Sequence, residues 1–104
     1  MIDYRPLTIE NRSFVGITIY LPKTTLIMIT AKTGYIMCGA LDVQQLNTKL
    51  KHRKIIAGRA VGVSSIDDLL EAPLESVTNE AENLGITKGM TGREALLKMP
   101  SGLC

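Results

Sequence analysis

Four consecutive apolar residues, Leu26-Ile27-Met28-Ile29, leave this chain few choices of fold. They lie between two turn-forming stretches, Pro22-Lys23-Thr24 and Lys32-Thr33-Gly34. A run this short between turn signals reads as a strand. Successive side chains of a strand point to opposite faces, so a strand that is apolar at every position needs cover on both sides. One face can meet the protein's own helices. The other needs something else, and a neighbouring subunit is the economical answer. A chain of 104 residues buries roughly two-thirds of its unfolded surface, and association covers apolar area that a small core leaves exposed.

The residues around this run extend the β reading. Val15, Ile17, Ile19 and Leu21 alternate with Phe14, Gly16, Thr18 and Tyr20, the period of a half-buried strand. An earlier strand is expected over residues 4–10, with Pro6 placing it at an edge and Asn11-Arg12 turning the chain. The Lys32-Thr33-Gly34 loop predicts a hairpin in which Gly34 takes a positive φ. Tyr35-Ile36-Met37-Cys38 then forms the next strand of an antiparallel meander.

The period changes after residue 41. Asp42 followed by Gln45 is a capping-box pattern, and Val43, Leu46 and Leu50 mark one face of a helix. Residues 55–63 return to strand with unusually small side chains, and glycine there predicts close backbone approach or a bulge. Ser65 opens a short helix that Ala72-Pro73 ends. A further helix is expected over residues 75–84, with Val77, Ala81 and Leu84 inward and Gly85 at its C-cap. Thr91-Gly92-Arg93-Glu94 is another capping box and opens a last helix, which Pro100 stops. The fold class is therefore α+β: an N-terminal antiparallel β-meander, a helix, a glycine-rich strand, and two or three C-terminal helices. Residues 1–99 form one domain, and residues 100–104 are expected to be a flexible tail.

Composition narrows the partners. The net charge of +2 is far from the basic excess of a dedicated nucleic-acid binder. Four aromatic residues, Tyr4, Phe14, Tyr20 and Tyr35, are too few for a base-stacking platform. No apolar run reaches the length of a membrane span, and the N-terminus lacks the apolar core of a signal peptide. The two cysteines, Cys38 and Cys104, form no disulfide framework. A cytoplasmic protein is expected. Charge is unevenly distributed: residues 49–59 carry only basic groups, and residues 67–82 only acidic ones. Two solvated faces explain this, and complementary patches that steer association are the sharper reading.

Two places invite chemistry. In Gly34-Tyr35-Ile36-Met37-Cys38-Gly39-Ala40-Leu41-Asp42 a strand runs into an expected helix N-terminus. Backbone N–H groups favour anions there, and a cysteine there can become a thiolate nucleophile. The only histidine, His52, lies ten residues beyond Asp42, about 15 Å along the same expected helix. A Cys38–His52 pair would need a second subunit. The plainer readings make Cys38 a small core residue and Asp42 an N-cap. The second place is Arg59, an arginine in an apolar strand, which is costly unless paired. It either forms an ion pair with Asp42, Asp67 or Asp68, or offers its fork to a carboxylate or phosphate. Ser64 and Ser65 follow, and Ser65 is equally explained as a helix cap. Phosphate-loop, dinucleotide and zinc signatures are absent from the sequence. No cofactor and no metal are expected.

Several longer motifs, in order along the chain, resemble a known family. They are Gly-Tyr-Ile-Met-Cys-Gly-Ala-Leu-Asp at 34–42, Ile-Ile-Ala-Gly-Arg-Ala-Val-Gly-Val at 55–63, Ala-Pro-Leu-Glu-Ser-Val-Thr at 72–78 and Gly-Met-Thr-Gly-Arg-Glu-Ala-Leu at 89–96. Together they resemble the YunC-like family of bacterial and archaeal domains of unknown function, over residues 4–99. The resemblance implies a single α+β domain whose N-terminal β region mediates tetramerisation. It implies no activity, cofactor or catalytic residue. Two functions follow as expectations. One is a homo-oligomer binding a small anionic ligand or a protein partner through Cys38, Gly39, Asp42, Arg59 and Ser65. The other is a thiol-dependent enzyme using Cys38 at a subunit interface.

Overall fold

The structure is a computed structural model that describes residues 2–39, Thr48 and residues 54–100. Among the described residues six strands form one sheet in sequence order. Strands β1 (Ile2–Ile9), β2 (Arg12–Leu21), β3 (Thr24–Thr30) and β4 (Gly34–Met37) run as an antiparallel meander. Strand β5 (Ile56–Arg59) then lies parallel to β4, and the two-residue β6 (Ser76–Val77) pairs antiparallel with β5. Three short helices follow β5: α1 (Ile66–Glu71), α2 (Asn79–Asn83) and α3 (Gly92–Lys98). The expected helix after Asp42 falls outside the described residues, except for Thr48, which is helical. Among the described residues no helix is long and apolar enough to cross a membrane.

Local chemistry sets the turns. The first is Glu10-Asn11, one residue earlier than the sequence suggests, with φ of 48° and 67°. Two left-handed residues in a two-residue loop make the turn that matches strand twist, so Arg12 already belongs to β2. Gly34 corrects another expectation: it is not among the glycines with positive φ. A Cβ on Gly34 would lie 2.6 Å from the Ile56 carbonyl oxygen and 2.9 Å from Ile56 Cβ. The glycine is required for close approach of β5, while the loop is closed by Ala31 N–H donating to the Gly34 carbonyl at 2.8 Å. Gly58 fulfils the expectation of close approach, since a Cβ there would sit 2.8 Å from Leu74 Cδ1.

Strand β5 is shorter than residues 55–63. It stops at Arg59, and Gly62 turns the chain with φ 75°. The helix expected over 75–84 is a two-residue strand followed by a five-residue helix. Ser76-Val77 pairs with β5, and α2 begins only after Thr78. Thr78 is 2% exposed, and its Oγ1 serves both elements. It donates to the Ile55 carbonyl at 2.7 Å and accepts from Ala57 N–H at 3.1 Å and Ala81 N–H at 3.3 Å. Leu84, expected inward, is exposed, and Ile86 is buried instead. Gly85 N–H donates to the Glu82 carbonyl and Ile86 N–H to the Ala81 carbonyl. This Schellman closure folds the residue after the glycine back onto the helix.

The core lies between the inner sheet face and the helices. Phe14, Ile27, Ile29, Ile36, Leu69 and Leu96 are among its members. Helix α1 packs on β2 and β3, α3 on β4 and α1, and α2 on β5. Ser65 caps α1 and Thr91 caps α3 in a full capping box with Glu94. Arg12 ties the first hairpin to the end of α3, donating to the Leu97 and Met99 carbonyls at 2.8 and 2.7 Å. Free carbonyls at a helix C-terminus carry partial negative charge, so a cation belongs there.

Register divides the meander into two faces. Phe14, Gly16, Ile27, Ile29 and Ile36 share the inner one. The outer face carries Ile2, Tyr4, Val15, Ile17, Ile19, Leu21, Leu26, Met28 and Met37. Ile27 and Ile29 are fully buried, whereas Leu26 and Met28 are only partly so. The chain's own helices thus seal one side of the doubly apolar strand.

Candidate functional site

In sheets with parallel strands, ligands gather beyond the carboxyl ends of those strands. Here that position lies past β4 and β5, where the sequence placed Cys38, Gly39 and Arg59. Ala60 N–H donates to the Met37 carbonyl and Cys38 N–H to the Ile27 carbonyl, both at 3.0 Å. The ladder therefore continues one residue past the end of β4 towards β3 and one residue past the end of β5 towards β4. Cys38 is 7% exposed and belongs to the core cluster, while Gly39 is exposed.

Arg59 organises this end of the sheet. Its Nε and Nη2 donate to the Gly39 carbonyl at 3.2 and 3.1 Å, and its Nη1 donates to Glu75 Oε1 at 2.9 Å. The same carboxylate oxygen accepts from Ser76 Oγ at 2.7 Å. The Ser76 hydroxyl first, then the Arg59 guanidinium, hold the Glu75 carboxyl below its usual range. A backbone bond from Glu75 N–H to the Arg59 carbonyl, 2.7 Å, completes the clamp.

The acid opposite Arg59 is thus Glu75. The expected partners are otherwise engaged or outside the described residues. Asp67 lies 3.6 Å from Arg5. Asp68 accepts from the Ser64 hydroxyl at 2.8 Å and Ser64 N–H at 3.1 Å, which lowers its pKa. Asp42 is not described. The sequence does not point to Glu75, because the spacing of Val77, Ala81 and Leu84 puts it in the first turn of an expected helix. Only the β5–β6 pairing, with Arg59 opposite Ser76, brings it to the arginine.

Ser65 belongs elsewhere. Its Oγ accepts from Asp68 N–H at 3.1 Å as the α1 cap. It lines a cleft of about 450 Å³ with Asp3, Arg5, Thr18, Tyr20 and Thr25. Tyr20 O–H donates to Asp3 Oδ2 at 3.0 Å, which raises the Tyr20 pKa. With Arg5 beside Asp67, the charges of this cleft are largely balanced internally. The structure brings Cys38, Gly39 and Arg59 together and leaves Ser65 in this separate cleft.

Comparison with known proteins places the chain. A family model described as a domain of unknown function, DUF1805, matches residues 37–99. The uncharacterized protein YunC of Bacillus subtilis (strain 168) is 61% identical over 99 residues, covering 95% of this chain and 98% of that one. The crystal structure of a protein of unknown function, TA1206, from Thermoplasma acidophilum superposes with a TM-score of 0.86 at 29% identity, over 96% of this chain and 94% of that one. The α+β fold and the ordered motifs agree with these matches, and the chain belongs to the DUF1805 family of YunC-like domains.

Proposed function

We propose that this protein is a cytoplasmic homo-oligomer, a tetramer as the family resemblance implies, that acts by binding and is assembled through the outer face of its N-terminal meander. One observation carries the reading. Cross-strand neighbours Ile2 and Ile19, Tyr4 and Ile17, Ile17 and Met28, Ile19 and Leu26, and Met28 and Met37 run together on that face. No charged residue of β1 to β4 shares it. Ile2 is 54% exposed and Tyr4 73%. Contiguous apolar patches of this kind mark interaction surfaces.

The free edge of β1 supports stacking of faces over pairing of edges. The Glu10-Asn11 turn makes Ile9 and Arg12 a hydrogen-bonded pair. Counting back in twos, Pro6 falls among the residues whose nitrogen points away from β2. Proline there removes one donor from the open edge, a common guard against edge-to-edge growth.

Sedimentation at micromolar concentration tests the assembly. An oligomer is expected, and Ile17→Asp should dissociate it while leaving the circular dichroism of a folded chain. A native protein that sediments as a monomer would defeat the proposal.

The carboxyl ends of β4 and β5 are the recognition end in this reading, with Gly39 and Arg59 presented to a small anion or a partner. Because Glu75 already neutralises Arg59, an anion must displace that carboxylate, so modest affinity is expected there. Arg59→Ala should remove any thermal shift given by phosphates or carboxylates at this site. Burial of Cys38 favours binding over thiol catalysis. Rapid modification of Cys38 by a thiol reagent in the native protein would reverse that preference.

A further inference from the structure

Basic charge in this chain is concentrated to a degree that the Arg59 clamp does not absorb. Residues 11–66 hold eight of the twelve lysines and arginines but only one of the ten acidic residues, Asp42. Two of those cations meet at the opposite end of the parallel pair from Arg59. Gly34 of β4 lies beside Ile56 of β5. Lys32 stands two residues before Gly34, and Lys54 two residues before Ile56. The parallel register therefore brings both lysines to the same level of the sheet.

They line one pocket of about 300 Å³. Its other lining includes Thr30, Thr33, Tyr35 and the apolar Ile55 and Ile56. Among the described residues no acidic one is part of it. Among the described residues neither ammonium has an ion-pair or hydrogen-bond partner, in contrast to Arg5, Arg59 and Arg93, each paired with a carboxylate. The threonine hydroxyls are committed: Thr30 Oγ1 donates to the Ala31 carbonyl and Thr33 Oγ1 to the Pro100 carbonyl. The Tyr35 phenol has its pKa raised by burial, so it remains protonated and able to donate.

Two like charges facing one cavity repel unless an anion lies between them. Lysine ammoniums bind phosphate as point charges. The isoleucine wall and the Tyr35 ring suit a compact organic body, and the volume is at the lower limit for small-molecule sites. We infer that the pocket between Lys32 and Lys54 binds the phosphate group of a small phosphorylated molecule. The pocket borders the assembly face, because Thr30 and Tyr35 share the register of Val15 and Met37. It lies apart from the Arg59 clamp, and the pocket-lysine variants and Ile17→Asp test ligand binding and assembly independently.

Calorimetric titration of the full chain with pyrophosphate and with inorganic phosphate in low salt tests this. Saturable binding is expected, with pyrophosphate the tighter ligand. Lys32→Gln and Lys54→Gln should each weaken it about tenfold, the loss of one charge-assisted bond. Lys88→Gln, outside the pocket, should leave it unchanged. Both pocket lysines are exposed, so these variants are expected to melt like the parent protein. K32E should abolish binding without lowering thermal stability, because it places an acid beside Lys54. No saturation by about 10 mM pyrophosphate, a limit corresponding to very weak binding, overturns the inference. So does binding that persists within twofold in the Lys32→Gln/Lys54→Gln double variant.

Discussion

The two faces of the same strands live under different rules. On β3, Ile27 and Ile29 are fully buried beneath the helices, while Leu26 and Met28, one residue away in each case, remain partly open on the other side. Side-chain chemistry does not distinguish them, since all four are large and apolar. Cover does. The inner face has found its partners within the chain, and the outer face has the composition of a core that no helix among the described residues completes. Hydrophobicity alone therefore does not predict burial in a small domain, because area to be covered can exceed the area available to cover it.

Substitution on the two faces measures that difference most directly. Ile27→Ala should lower stability by about 2–5 kcal/mol, through lost transfer energy and a cavity that the packed layer cannot fill. Leu26→Ala should cost about 1 kcal/mol in chemical denaturation under conditions that keep the chain monomeric. Equal losses would mean that the outer face is as well packed as the inner one, and the contrast would fail.

Thr78→Val probes the join between sheet and helices. The new side chain keeps the shape but cannot serve the Ile55 carbonyl or the N–H groups of Ala57 and Ala81, all partners of the hydroxyl. Leaving buried groups unsatisfied should cost about 2–3 kcal/mol. A loss well below 1 kcal/mol would show that water or a shifted backbone replaces the hydroxyl. A glycine pair gives a smaller contrast. A Cβ at Gly92 would collide with the Leu69 carbonyl oxygen and approach Ile36 Cδ1 at 2.7 Å, whereas at Gly39 the nearest atom is Val61 Cγ1 at 3.5 Å. Gly92→Ala should cost about 1–3 kcal/mol by overpacking. Gly39→Ala should fall within about 0.5 kcal/mol of the parent protein.

How much of this was legible beforehand follows the range of the interactions. The meander, the Ser65 and Thr91 caps and the Gly85 closure could all be read because each depends on residues within a few positions. Three features could not. Gly34 reads as a turn residue because its real constraint, the backbone of Ile56, is far along the chain. Ser76-Val77 reads as part of a helix because two residues carry no strand signature of their own and follow β5 by pairing alone. Glu75 reached Arg59 only as a consequence of that pairing. The candidate site was thus half visible. Cys38, Gly39 and Arg59 can be read as candidates, alongside Asp42 and Ser65, while the acid that holds the arginine, and the cleft that claims Ser65, need tertiary structure.

The smallest expected effect separates the meander from the helical half by pH. Asp68, Glu75 and Glu94 all have lowered pKa values, and all lie beyond β5. For Glu94 the Thr91 backbone N–H is the larger cause and the Thr91 hydroxyl the next. A carboxyl with a lower pKa folded than unfolded contributes stability at pH above its unfolded value, about 4.3 for glutamate. That contribution is lost as pH falls through the folded value. Acid should therefore loosen the helical half first. In the meander the shifted group of β2 is Tyr20, raised by its bond to Asp3. Its contribution is complete below about pH 10 and fades only as pH rises through its folded value. Glu94→Gln should flatten part of the fall in melting temperature between neutral and acid pH while leaving the alkaline limb untouched. Tyr20→Phe should do the reverse. If Glu94→Gln leaves the acid limb unchanged, the capping box does not contribute to it, and the division of pH sensitivity between the two regions disappears.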